Sequence, residues 1–74
     1  MTREEHLDWA KRRALEYVER DEYGEAFTSM VSDLNKHDEL RGHPGVELGA
    51  RLLMNGYLLS HEEMGQFIKG VQLK

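Results

Sequence analysis

The residues with the clearest capacity for chemistry are the histidines, two of which flank a short acidic segment. His37 and His43 lie on either side of Asp38 and Glu39 in the sequence KHDELRGH. Imidazole and carboxylate groups are the zinc ligands left to a chain that, like this one, contains no cysteine. Their spacing matches no strong ligand motif such as HExxH, and helix capping or surface exposure explains both histidines. The sequence therefore predicts no metal site, and metal binding by His37 and His43 is the alternative.

Nucleophilic and carboxylate chemistry find little support in the sequence. Ser29, Ser32 and Ser60 lie outside any strained GxSxG turn, the setting that activates the serine of many hydrolases. The acidic residues fall at helix starts and on polar helix faces, where capping and ion pairing account for them. The chain contains neither a Walker loop nor a dinucleotide-binding glycine motif. We therefore predict a protein that is not an enzyme and that binds no cofactor.

The single tryptophan occupies an unusual position in the first predicted helix. Leu7 and Ala14 lie on the apolar face of this helix, whereas Trp9 lies opposite them, among charged side chains. An exposed tryptophan beside arginine is typical of a protein-binding hot spot. The alternative is that Trp9 packs against the last helix or the Tyr57–Leu59 connection. We predict an interaction surface with these members: Trp9, Arg12, Arg13, Glu16 and Arg20.

The charge of the chain limits the classes of partner. The net charge is −4, from 14 acidic and 10 basic residues, whereas a dedicated nucleic-acid-binding protein normally presents a basic surface. The basic run Lys11–Arg13 is flanked by acidic residues at helical spacings that pair the charges. We therefore expect a protein partner, or self-association, with nucleic-acid binding through Lys11–Arg13 as the alternative function.

Hydropathy indicates a cytoplasmic protein. No apolar run approaches the length of about 20 residues that a membrane-spanning helix requires. The N-terminal residues are charged and lack the apolar segment of a signal peptide. The absence of cysteine is compatible with the cytosol.

Apolar spacing and capping signals predict an all-α fold, a compact bundle of four short helices in one domain that spans residues 1–74. The helices are expected at about 3–20, 22–37, 44–55 and 61–71. Thr2 and Glu5 form a capping box before the first helix, and Ser60 and Glu63 form one before the last. The second helix has the clearest stripe, with apolar residues at helical spacing: Tyr23, Ala26, Phe27, Met30, Val31 and Leu34.

The third helix is expected to be the buried centre of the bundle. Apolar side chains lie on most sides of this helix, and the polar residues Glu47, Arg51 and Asn55 form one narrow stripe along it. Pro44 suits its first position, and Asn55-Gly56 suits its end. Gly49 within the helix indicates close approach of a neighbouring helix, because glycine otherwise costs about 1 kcal/mol there.

Four stretches of the chain resemble a family of small helical proteins encoded in bacteriophage and prophage genomes. These are EEHLDWAKRRALEY, SMVSDLNKH, HPGVELGARLLMNGYL and EEMGQFIKG, which are spread along the chain from residue 4 to residue 70. The chain differs from the family pattern at His61, where proline is usual, and at Val71, where an aromatic residue is usual. The resemblance implies a phage origin and supplies no activity and no catalytic residues.

Overall fold

A computed structural model describes residues 2–72 and contains four helices. These are α1 (Arg3–Glu19), α2 (Tyr23–Asn35), α3 (Pro44–Met54) and α4 (His61–Gly70). No residue within 2–72 lies in a β-strand. The predicted all-α bundle of four helices is confirmed, and every predicted boundary lies within two residues of the observed one. No helix in this range is long and apolar enough to cross a membrane.

The central helix of the bundle is α1, which packs closely against both α2 and α4. Ala10 and Ala14 of α1 and Ala26 of α2 have no exposed surface. Small side chains at these contacts let the two helix axes approach closely, since the separation of packed helices depends on the residues between them. The core is completed by larger buried side chains, chiefly Leu7, Val18, Met30, Leu34, Leu40, Met64 and Ile68.

The prediction that α3 forms the buried centre of the bundle is wrong. Only Gly49 of this helix is buried, whereas Leu48 is 53% exposed and Met54 is 86% exposed. Val46, Leu52 and Leu53 are partly buried against the core. A chain of this size has too little structure to cover every side of two helices. The apolar face of α1 packs against α2 and α4, and α3 lies at the periphery of this core.

Gly49 makes a tight contact, but its neighbours are two phenyl side chains and not, as the sequence predicts, the backbone of a neighbouring helix. A Cβ atom at this position would lie 2.8 Å from Cζ of Phe67 in α4 and would also overlap the ring of Phe27 in α2. The two phenyl rings are 6.4 Å apart between centroids and flank the Gly49 backbone. The absence of a side chain is therefore what allows α3 to rest on both rings.

Two leucines in the connecting segments belong to the core, which hydropathy patterning did not predict. Leu40 lies in the polar loop after α2 and is 2% exposed, and Leu58 lies before α4 and is 5% exposed. The backbone of Leu58 has a φ of 63°, a left-handed conformation that costs a non-glycine residue about 1–2 kcal/mol. Its burial, and a hydrogen bond from its N–H to the Glu63 carboxylate at 3.1 Å, offset that cost.

The capping box before α1 is present in both directions. Thr2 Oγ1 accepts a hydrogen bond from the N–H of Glu5 at 3.1 Å, and the Glu5 carboxylate accepts one from the N–H of Thr2 at 2.9 Å. Only half of the predicted second box forms. Ser60 caps the N–H of Glu63, but the Glu63 carboxylate turns to Leu58 instead.

Thr2→Ala should lower the free energy of unfolding by about 1 kcal/mol, because one helix N–H loses its partner. The hydrogen bonds from Thr2 lower the pKa of Glu5, so the Glu5 carboxylate stabilises the fold above its ordinary pKa range. This contribution disappears as the pH falls through the lowered value. Alanine at position 2 keeps the backbone N–H that binds the Glu5 carboxylate, so Glu5→Gln tests the pH dependence. Urea denaturation measures both variants, and at several pH values it should show the difference in stability between the native chain and Glu5→Gln shrinking in acid. A difference that does not change with pH would contradict the assignment of Glu5.

Candidate interaction surface around Trp9

Trp9 is partly buried and lies on the side of the bundle where α1 meets the end of α2. The guanidinium of Arg13 lies 5.0 Å from the centroid of its ring, and Nζ of Lys36 lies 5.8 Å from it. The imidazole of His6 lies 5.1 Å away in a tilted arrangement. Two cations and a second ring thus surround the indole, and both cation distances are within the range of favourable cation–π contacts.

A buried carboxylate holds the two cations in place. Asp33 is 1% exposed, and Arg13 Nε donates to its Oδ2 at 2.7 Å while Lys36 Nζ donates to its Oδ1 at 3.1 Å. Removing a carboxylate from water is costly unless the charge is paired and hydrogen bonded, and both oxygens of Asp33 meet this condition. The hydrogen bond to Asp33, followed by its charge, raises the pKa of the Arg13 guanidinium.

The cations remain available to a partner although they are paired. The side chain of Arg13 is 46% exposed and that of Lys36 is 58% exposed, while the Asp33 side chain between them is 2% exposed. Water or a partner protein can therefore contact the indole and the exposed sides of the two cations, whereas the Asp33 carboxylate is not accessible. We call the set Trp9, Arg13, Asp33 and Lys36 the Trp9 cluster.

The histidines next to the Trp9 cluster are engaged with the backbone. His6 Nε2 donates to the carbonyl oxygen of Asp33 at 2.5 Å, which requires the proton on that nitrogen. The His6 ring also lies 5.2 Å from that of His37, whose Nδ1 accepts from the N–H of Glu39 at 3.2 Å. These contacts tie the start of α1 to the end of α2.

The other members of the predicted surface are not gathered round Trp9. Arg20 stacks on the ring of Tyr17 at 4.8 Å and donates to Glu22 at 2.7 Å. Arg12 and Glu16 are exposed, and Arg12 lines an open depression on α1. The structure thus brings together Trp9 and Arg13 of the five predicted residues.

The three side chains of the basic run Lys11–Arg13 diverge. Lys11 Nζ donates to the carbonyl oxygens of Lys69 and Val71, at 2.8 and 2.9 Å, and so caps the end of α4. Arg13 reaches in the other direction to Asp33. Arg12 is exposed and makes no side-chain hydrogen bond within residues 2–72. The run therefore does not form one continuous basic face.

Sequence reasoning missed Asp33 and Lys36 as members of the site. A usable signal existed for Asp33, which follows Met30 by three residues and Ala26 by seven, and so lies on the apolar stripe of α2. A carboxylate on a buried stripe requires a cation from a neighbouring element. The sequence alone does not say which helix supplies it.

The remaining candidates for chemistry have structural roles. His43 precedes α3, where its Nδ1 accepts from the N–H of Gly45 at 2.9 Å and its Nε2 donates to the carbonyl of Gln72 at 2.5 Å. Ser29 Oγ is buried and has no hydrogen-bond partner within residues 2–72. Within residues 2–72 no cluster of three or more histidine and acidic residues could hold a metal ion.

Comparison with known proteins adds no identification. No family model, no curated protein and no solved structure matches the chain.

Proposed function

We propose that this chain is a non-enzymatic protein that acts by binding another protein through the Trp9 cluster. The observation that carries the proposal is the buried carboxylate of Asp33, which holds Arg13 and Lys36 near a partly exposed indole. Tryptophan and arginine are the residues that most often dominate binding energy at protein interfaces. Because Asp33 already restrains both cations, a partner that contacts them loses less side-chain entropy on binding.

The charges of the cluster define the chemistry of the partner. A partner surface with an apolar centre beside one or two carboxylates would cover the indole and pair with the outer faces of Arg13 and Lys36. The net charge of this chain is −4, so an acidic partner is repelled by the chain as a whole and attracted by the two cations of the Trp9 cluster. Such a charge distribution favours one docking orientation over the others.

The origin and location of the protein are part of the proposal. The resemblance to phage and prophage proteins supports a phage origin, and it points to the cytoplasm of the host cell as the place of action. The partner is then a host protein, another phage protein or a second copy of this chain.

The proposal is tested by comparing proteins captured from bacterial lysate on the native chain, on Trp9→Ala and on Tyr57→Ala. Tyr57 is a matched control, because it is an aromatic residue that is 56% exposed in the connection between α3 and α4. A partner that uses the Trp9 cluster is retained by Tyr57→Ala and lost with Trp9→Ala. Its affinity for the purified proteins should fall by at least about tenfold with Trp9→Ala.

Circular dichroism of each variant verifies that the helices remain intact. Partners that bind all three proteins equally would rule out the Trp9 cluster as the binding surface. Nucleic-acid binding, the alternative function, is read from the same samples. A gel shift at low salt that weakens steeply as salt is added would replace the protein-binding proposal.

A further inference from the structure

The outward face of α3 carries four exposed residues in one stripe. They are Pro44, Glu47, Arg51 and Met54, which follow one another at intervals of three, four and three residues. Such intervals place side chains along one side of a helix, as in the seam of a coiled coil. Among residues 2–72 no other helix covers this side, since α3 contacts the rest of the bundle through its opposite face, at Gly49 and its partly buried neighbours.

The order of the residues along the stripe is self-complementary. The intervals of three, four and three residues are the same when the helix is followed in the opposite direction. A second copy of α3 can therefore lie antiparallel to the first, with the two Gly49 residues at the same level along the helix axes. In that register Glu47 faces Arg51 of the second copy, and Arg51 faces its Glu47. Pro44 faces Met54 in the same way. Both contacts occur twice, as the twofold symmetry of a homodimer requires.

The exposure of these side chains makes them available for such a contact. The side chains of Glu47 and Arg51 are 81% and 76% exposed, and their pairing within one helix is loose at 3.9 Å. Met54 is 86% exposed. The large apolar side chains that are the most exposed in residues 2–72 all lie between positions 48 and 59, at Leu48, Met54, Tyr57 and Leu59.

We propose that α3 is a homodimerisation helix, which pairs antiparallel with α3 of a second copy through Glu47–Arg51 contacts and Pro44–Met54 contacts. The partner follows from charge complementarity, because a stripe with one acid and one base at mirrored positions matches its own reverse. The Trp9 cluster lies on a different face and takes no part in this contact. A single pair of short helices gives a small interface, so the expected dissociation constant lies between about 10 μM and 1 mM.

Sedimentation equilibrium of the whole chain, from about 10 μM to 1 mM, measures the dimer. Glu47→Arg puts arginine opposite arginine, and Arg51→Glu puts glutamate opposite glutamate. Each single variant should weaken its own dimer by at least about tenfold. An equimolar mixture of the two restores opposite charges at both positions and should form a heterodimer. The double variant Glu47→Arg with Arg51→Glu should form a homodimer again.

Glu62→Arg and Lys69→Glu on α4 are the matched controls, because they change the net charge by the same amounts at exposed positions away from α3. Both controls should dimerise like the native chain. A native chain that stays monomeric up to about 1 mM overturns the proposal, and so do single variants that fail to combine when mixed. Trp9→Ala should leave the dimer intact. The experiments therefore distinguish a result against dimerisation through α3 from a result against partner binding through the Trp9 cluster.

Discussion

Replacing Arg13 and Lys36 together by methionine should lower the free energy of unfolding by about 3 kcal/mol or more. The loss arises at Asp33, whose carboxylate is 2% exposed and would remain buried without either of its cations. An unpaired buried charge of this kind costs about 3–5 kcal/mol. Methionine is chosen because it keeps apolar bulk over the carboxylate, whereas alanine would admit water to it. Urea denaturation followed by circular dichroism measures the effect.

The matched control adds Asp33→Leu to the same double variant. This triple variant contains no buried charge, so most of the lost stability should return although every ion pair is gone. The comparison separates the cost of an unpaired carboxylate from the value of the ion pairs themselves. If the double variant retains the stability of the native chain to within about 1 kcal/mol, Asp33 is not the organising charge of the Trp9 cluster.

Substitution of Gly49 should destabilise the protein, whereas the same substitution at Gly65 should stabilise it. Both glycines are buried within helices, so alanine gains about 1 kcal/mol of helix propensity at either position. At Gly65 the new Cβ would meet only Val18, at an ordinary 3.9 Å. At Gly49 it would overlap the rings of Phe27 and Phe67, and overpacking of this kind costs about 1–3 kcal/mol.

We therefore expect Gly49→Ala to lose about 1 kcal/mol net and Gly65→Ala to gain about 1 kcal/mol. Gly49→Leu should lose about 3 kcal/mol, because a branched side chain cannot fit between the two rings. Thermal and urea denaturation measure all three variants. An increase in stability for Gly49→Ala would mean that the rings of Phe27 and Phe67 turn aside at little cost.

The Trp9 cluster and the stripe on α3 are proposed to make two different contacts, one with a partner protein and one with a second copy of the chain. A protein with both surfaces can present two copies of the Trp9 cluster at a fixed separation, which raises the apparent affinity for a partner that has two matching sites.

Interactions between residues close in sequence were enough to specify the helices and most of their ends. Thr2 and Ser60 cap the helices that follow them, and Pro44 begins α3 where the sequence predicts it. Gly56 after α3 has a φ of 86°, the conformation expected at a helix end. These signals act within about one helical turn, so they can be interpreted without knowing what the helix packs against.

Packing between distant residues specified the rest. The apolar residues round most of α3 are compatible with a central position. In the structure the central helix is α1, which has Ala10 and Ala14 at its contacts. Asp33 belongs to the Trp9 cluster because the packing of α1 against α2 places Arg13 within hydrogen-bond distance of its carboxylate. A short chain has too few apolar side chains to bury every apolar face. The packing of all four helices together determines which apolar faces become buried. The sequence of one helix alone is therefore not enough to predict whether its apolar face is buried.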